Sequence, residues 1–382
     1  MLRSCSVLVL CFVTGCSLFG RVAVEPVGTS FQRPSNVAAY VSVSDGDQPV
    51  TDLLPENFKV YENSQQLSSD ETRQTLLTKE LVATHQVLLL VDVSGKNDAD
   101  SADALARAVA SFVDTVRRAQ PVSVFAFDGG ASLHYIADFS KAPDGASADL
   151  KALAKFEVGD TSRNLNGAVV SGLKELDNRL SAAHKSIKVG TLVVFTRGPD
   201  LAGRVSSVDL AHAIDDTHDE VVALGIADQA GHALADIGKS AVVHAASADA
   251  LGTAFEEAAT KVRDLYGKYY LIAYCSPARS GTRYLKLEVS YRNVKGDEKH
   301  GSFSEEFSAN GFGPGCNPQA LPRFAPKPVA PKEDHSSSSG KATPGTSSDS
   351  KPSSPSDDTP VPPPNDDDGN VAPPPDKPGY SR

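Results

Sequence analysis

Apolar residues recur along this chain with three different periods. In "NVAAYVSVSDGDQPVTDLLPENFKVYEN", residues 36–63, Val37, Ala39, Val41 and Val43 alternate with their neighbours, and "NFKVYEN" alternates again. A period of two predicts half-buried strands, and the intervening "DGDQPV" carries the Asp, Gly and Pro chemistry of a turn. Further on, "HQVLLLVDVS" is a continuous apolar run, the mark of a strand buried on both faces. In "SADALARAVASFVDTVRRA", Leu105, Val109, Phe112, Val113 and Val116 keep helical spacing. "PVSVFAFD" and "SLHYIADF" predict two strands around a Gly129-Gly130 turn. Helices near 147–156 and 165–183 precede the strand "KVGTLVVFTRG". A helix near 206–217, the strands "EVVALGIAD" and "SAVVHAAS", and the helix "DALGTAFEEAATKVRDL" complete the series.

Strands alternating with helices predict an α/β fold, a doubly wound and mostly parallel sheet. Such sheets bind ligands beyond the carboxyl ends of their strands. Ser94 and Thr196 fall at two such ends. The last structured stretch, "KYYLIAYCSP", "RYLKLEVSYRN" and "SFSEEFS", alternates and carries aromatics. A turn at Gly281 is expected to join the first two strands into an antiparallel hairpin that pairs with the N-terminal β unit.

The ends of the chain read differently. "MLRSCSVLVLCFVTGC" has a positive start at Arg3 and an apolar run of about ten residues, too short for a spanning helix, which takes about 20. Its close, Val13-Thr14-Gly15-Cys16, resembles a bacterial lipobox. That resemblance implies cleavage before Cys16, acylation of Cys16, and, with Ser17 next, delivery to the outer membrane as a lipoprotein. At the other end, residues 311–382 are rich in Pro, Ser and Asp, with few apolar residues to offset the entropy of ordering, and are expected to be disordered.

The formal net charge of −11 argues against a nucleic-acid partner. Of five cysteines, Cys5 and Cys11 would leave with the signal and Cys16 would be lipidated. Cys275 and Cys316 remain, and in an exported chain they read as one disulfide.

Three segments carry a further resemblance. "VLLLVDVSGK", "RNLNGAV" and "LVVFTRG" look like the signature segments of a von Willebrand factor A (vWA) domain, and the β segments on either side look like the flanks of the bacterial "VWFA-related" family. The resemblance covers about residues 36–308. It implies a metal-ion-dependent adhesion site built from Asp-x-Ser-x-Ser, a Thr and an Asp, with a partner's carboxylate completing the metal's shell. In this chain Asp92 and Ser94 match, but Lys96 replaces the second serine, Arg163 aligns with the threonine, and Arg197 with the aspartate. Cations aimed at one point would repel a divalent ion and neutralise Asp92. A degenerate, metal-free site is therefore expected, with Lys96 pairing Asp92 and Arg197 turned toward a partner.

Other motifs are weaker. His212 and Asp216 stand at i,i+4 with His218 near, a spacing that could hold a metal but more often marks a solvated helix end. Ser171 and Lys174 have the Ser-x-x-Lys spacing of penicillin-interacting enzymes, without the accompanying motifs. No enzyme, cofactor or small-molecule substrate is expected.

The organisation read from the sequence is a signal peptide (1–15), a tether (16–35), an N-terminal β unit (36–79), a vWA domain (80–266), C-terminal strands (267–310) and a tail (311–382). The expected function is a lipid-anchored envelope protein that binds another envelope protein without metal. The alternatives are a metal-dependent adhesin using Asp92, Ser94 and Thr161, and, more remotely, a serine hydrolase around Ser171.

Overall fold

The alternating and continuous apolar runs separate into three sheets. The structure is a computed structural model that describes residues 22–95, 99–142 and 147–325. In chain order the strands before the first helix are β1 (Val22–Gln32), β2 (Asn36–Asp45), β3 (Gln48–Pro49), β4 (Phe58–Glu62), β5 (Gln65–Gln66), β6 (Thr75–Leu77) and β7 (Ala83–Asp92). There follow α1 (Ala99–Val116), β8 (Val122–Phe127), β9 (His134–Phe139), α2 (Lys151–Ala154), α3 (Leu165–Ser181) and β10 (Ile187–Thr196). The chain continues through α4 (Ser207–Asp216), β11 (Glu220–Ile226), α5 (Ala227–Ile237), β12 (Ala241–Ala245) and α6 (Leu251–Gly267), and ends in β13 (Tyr269–Cys275), β14 (Thr282–Arg292) and β15 (Glu298–Ser308).

The central sheet has the order β12-β11-β10-β7-β8-β9. All its neighbours run parallel except the edge pair β8–β9. The run "VLLLV" of β7 explains its central position, because it is apolar toward both faces. Val87, Leu89 and Val91 pack with α1 and α6 on one side. Leu88 and Leu90 pack with α3, α4 and α5 on the other. Each such side chain is fully buried and contributes about 1.5–3 kcal/mol. This is the doubly wound arrangement expected, and it puts Asp92 at the carboxyl end of the central strand.

The other two sheets, both antiparallel, pack as a sandwich. One has the order β1-β2-β13-β6, with β3 on β2, and the other β15-β14-β4-β5. Their inner faces share a core in which Phe31 stacks on Phe307 at 4.6 Å. The sandwich joins the central sheet through Tyr40 and His85, which share a buried 2.7 Å hydrogen bond. Burial, the largest cause, pushes His85 down to about 3, so its ring is neutral. Lys268 and Glu220 bridge the same joint at 2.6 Å.

Four expectations need correction. β13 and β14 do not form a hairpin: β13 pairs β2 and β6, while β14 pairs β4 and β15. The turn at Gly281 therefore carries the chain from one sheet of the sandwich to the other. Residues 22–32 of the expected tether form β1, ten of whose residues pair with β2 across a bulge near Pro26. The expected tail begins too early, because Phe312 and Phe324 are buried and the Ser30 hydroxyl donates to the Arg323 carbonyl at 2.8 Å. Finally, α5 was not foreseen.

A disulfide links Cys275 at the end of β13 to Cys316. Among the described residues no helix is long and apolar enough to cross a membrane. The signal peptide, Cys16 and the rest of the tail lie outside the described residues, as does Lys96.

Candidate functional site

The site lies where three loops meet at the carboxyl ends of β7, β8 and β10. Asp92 is the last residue of β7 and has no exposed surface. A buried carboxylate needs donors on both oxygens. Oδ1 accepts the Ser94 N–H at 2.9 Å. Oδ2 accepts the Arg197 N–H at 2.8 Å, the Thr196 hydroxyl at 3.2 Å and Arg163 Nε at 2.5 Å. Gly95 then turns the chain through φ +83, and its N–H donates to the Thr161 carbonyl at 3.1 Å, tying this loop to the one before α3.

Arg163 is the hinge pin of the arrangement. Its side chain is only 12% exposed, it pairs with Asp92 through Nε, and its Nη1 donates to the Pro199 carbonyl at 3.1 Å. The guanidinium passes so close to Gly198 that a Cβ there would stand 2.8 Å from Nη1. Its own carbonyl accepts the N–H groups of Leu201 and Ala202 at 2.8 and 2.9 Å. One residue thus joins β7, the loop before α3 and the loop after β10.

The neighbouring loop is held by a second carboxylate. Asp128, at the end of β8, accepts N–H bonds from Gly130 (2.7 Å), Gly159 (3.0 Å) and Asp160 (3.0 Å). Burial pushes its carboxyl up, but these donors outweigh burial and hold it below the usual range. Asn164 caps α3 by accepting the Gly167 N–H at 3.2 Å, while its amide reaches the Gly130 carbonyl at 2.8 Å.

The resemblance to a metal site can now be tested on the donors. A hard divalent cation needs several free oxygens. Asp92 directs its oxygens at three N–H groups and a hydroxyl, and one of those groups is a guanidinium. Burial lowers the pKa of Arg197, Asp92 opposes that shift, and Arg163 adds to it, so two arginines crowd one carboxylate. The Ser162 hydroxyl is committed to Asp160 at 2.8 Å. These residues do not fit the metal. One atom points the other way: Ser94 Oγ is buried and has no hydrogen-bond partner among the described residues.

The structure brings Asp92, Ser94, Arg163 and Arg197 to one place. Arg163 pairs with Asp92, while Lys96, expected to make that contact, lies outside the described residues. Thr196, the residue that the sequence marked only as a strand end, places its single hydroxyl proton between the Gly198 carbonyl at 2.7 Å and Asp92 Oδ2 at 3.2 Å. Thr161 is exposed. His212 and Asp216 are exposed on α4, and among the described residues no group of three or more His, Cys, Asp or Glu could hold a metal. Ser171 lies within α3, about two turns past the loop that carries Arg163.

No protein-family model matches the chain, and no curated protein matches it. Among solved structures it is similar to a von Willebrand factor type A protein from Catenulispora acidiphila, with a TM-score of 0.37 and 12% identity over 77% of this chain and 74% of that one. It is similar to the manganese-loaded TRAP protein of Plasmodium vivax at a TM-score of 0.36 and 12% identity, over 66% of this chain and 98% of that one. It is also similar to proximal thread matrix protein 1 from the mussel byssus with a zinc-occupied MIDAS motif, at a TM-score of 0.34 and 15% identity, over 53% of this chain and 49% of that one.

Proposed function

We propose that this chain is a lipid-anchored protein of the bacterial cell envelope, held to the outer membrane through Cys16, whose vWA-type domain binds a partner protein without a divalent metal. The observation that carries the reading is the pairing of Arg163 with Asp92 at the point where the vWA resemblance calls for a metal. A guanidinium there supplies positive charge permanently, so the three loops are organised whether or not calcium or magnesium is present. The exposed rim above the pair is then a fixed recognition surface rather than one assembled by an ion. Fold alone does not assign function, and here the site supports binding better than catalysis: among the described residues no nucleophile and base stand together in it.

The test is calorimetry with magnesium, manganese and calcium on the full chain. No binding at millimolar metal is expected, and chelator should leave thermal stability unchanged, because an ion that does not bind cannot stabilise by mass action. The triple variant Lys96→Ser, Arg163→Thr, Arg197→Asp should gain metal affinity, since Asp92 and Ser94 remain. A stoichiometric divalent metal in the unaltered protein, lost in Asp92→Ala, would overturn the reading.

The second reading is a metal-dependent adhesin using Asp92, Ser94 and Thr161. The uncommitted Ser94 Oγ favours it, and the same titration decides between the two.

A further inference from the structure

The strand β1 runs beside β15, which belongs to the facing sheet of the sandwich, and in the same direction. Val22, the first residue of β1, lies so near β15 that a Cβ on Gly301 would collide with the Val22 carbonyl oxygen. Further along, the Thr29 hydroxyl donates to Glu305 at 2.9 Å, and Phe31 stacks on Phe307. The contacts advance together along both strands. Followed backward, β1 therefore leads out of the sandwich at the same end as the turn between β14 and β15. That end is tied together on Asp45, which is in register with Val22. Asp45 accepts the Tyr291 hydroxyl at 3.1 Å and pairs with Lys299 at 3.6 Å.

The turn projects beyond Val22. Gly301 is three residues from Glu298, where the pairing with β14 ends, so the turn stands about 10 Å further out. Asn293 fixes its shape. The side-chain oxygen of Asn293 accepts the N–H groups of Lys295 (3.0 Å) and Asp297 (2.9 Å), and its carbonyl accepts that of Gly296 at 2.9 Å. At the apex Val294 is 105% exposed, the most exposed large apolar side chain among the described residues. What this end faces follows from the chain ahead of it. Cys16 stands six residues before Val22, and six residues span at most about 20 Å. An acylated Cys16 holds Val22 within that distance of a bilayer, and the turn already reaches across about half of it.

We infer that the start of β1 and the β14–β15 turn form the membrane-facing end of this protein, with Val294 seated among the headgroups of the phospholipid bilayer that holds Cys16. This rests on the lipid-anchor reading above and adds the orientation of the sandwich. The charges at this end nearly cancel, with Arg292, Lys295 and Lys299 against Asp45, Asp47, Asp297 and Glu298. The attraction is therefore apolar, not electrostatic. One valine is too little to bind a membrane, but the anchor supplies the local concentration at which it acts. A turn already rigid loses little entropy on contact. The acyl chains hold the protein, and Val294 orients it.

The test uses the acylated full chain, purified from membranes and placed in vesicles of phosphatidylethanolamine and phosphatidylglycerol. A fluorophore is attached through Lys295→Cys or, as the control, Leu321→Cys, and is quenched by lipids spin-labelled at the headgroup. Cys275 and Cys316 are linked, so the introduced thiol is the one that reacts. Leu321 is exposed and close along the chain to Arg323, whose carbonyl accepts from Ser30 and Gln32 at the far end of β1. Quenching about threefold stronger at 295 than at 321 is expected. In a Val294→Asp background the quenching at 295 should fall about twofold, with the unfolding midpoint unchanged. Equal quenching at 295 and 321, in protein that mass spectrometry shows to be acylated at Cys16, overturns this inference and leaves the anchor standing. Quenching at 295 that Val294→Asp does not alter overturns it as well, because the tether alone then explains the proximity. A signal at 295 that follows protein concentration and not the quencher lipid reports a second copy of this chain, and also overturns it. Unmodified Cys16 in protein taken from the cell overturns the anchor reading and this inference together.

Discussion

The Nε of Arg163 lies 2.5 Å from Oδ2 of Asp92, and the carboxylate it meets is wholly buried. A buried pair of this kind is not a simple gain, because both charges lose their water. It holds because Asp92 keeps three other donors, so the guanidinium completes a set rather than forming it alone.

Removing one partner of that pair should cost more than removing both. Arg163→Met leaves Asp92 buried beside the partial charges of its remaining donors, and a loss of about 3 kcal/mol is expected. In a double-mutant cycle with Asp92→Asn, the two changes should fall short of additivity by about 1–3 kcal/mol. Urea unfolding of the four proteins measures this. Strict additivity would mean that the two side chains do not act together.

Stability should depend on pH through Asp219. Burial, then the nearby Asp177, pushes its carboxyl up to about 6. Because the folded-state pKa lies above the unfolded value, the folded protein holds the extra proton between them. The group is neutral to stability below the unfolded pKa, and stability is lost as the pH rises through about 6. Asp219→Asn can keep an acceptor for the Gly190 N–H, now bonded at 2.9 Å, without the charge. It should stabilise the protein by at most about 2 kcal/mol at pH 8 and leave it unchanged at pH 4. Unfolding midpoints across that range test the sign, and a loss of stability at pH 8 would refute it.

The Cys275–Cys316 link closes a loop with a sequence separation of 41. Chain-entropy arguments put its contribution at about 4 kcal/mol. The Cys275→Ser, Cys316→Ser double variant should lose about that much in urea. Residues 309–325 should exchange amide hydrogens faster, since the segment would then be held only by the burial of Phe312 and Phe324 and by a few hydrogen bonds such as that from Ser30 to the Arg323 carbonyl. Peptide mapping without reductant should recover the two cysteines linked, and alkylatable thiols in the mature protein would count against the prediction.

The anchor is tested by Cys16→Ser. The variant should leave the membrane fraction and should not take up a palmitate analogue, because several acyl chains anchor durably where an unmodified chain does not. Retention with labelling intact would remove the lipoprotein part of the proposal.

How much of this was legible in the sequence differs by element. The run through Asp92 was plain, because a strand buried on both faces has no polar positions to obscure it. β1 was hidden by Pro26 and Gly28, which read as tether but sit at a bulge that lets the strand continue. The helix α5 was missed because "ADQAGHALADI" is rich in small residues. Its helical signal is carried by Ala230, Leu234 and Ile237, which the core buries.

By itself the sequence determined the strand–helix alternation, the position of Asp92 and Ser94 at the end of a central strand, and the presence of Lys96, Arg163 and Arg197 at positions where the vWA resemblance expects metal ligands. Those facts depend on local period and residue type. Only the tertiary structure showed that Arg163 pairs with Asp92. Arg163 and Asp92 are 71 residues apart, and in the sequence Arg163 was no better a candidate than Lys96 or Arg197. Likewise, β13 and β14 carry the same alternation, and nothing local says that they belong to different sheets. That choice falls to the partners on either side, β2 and β6 for one and β4 and β15 for the other, because strand pairing is a non-local hydrogen-bonding decision.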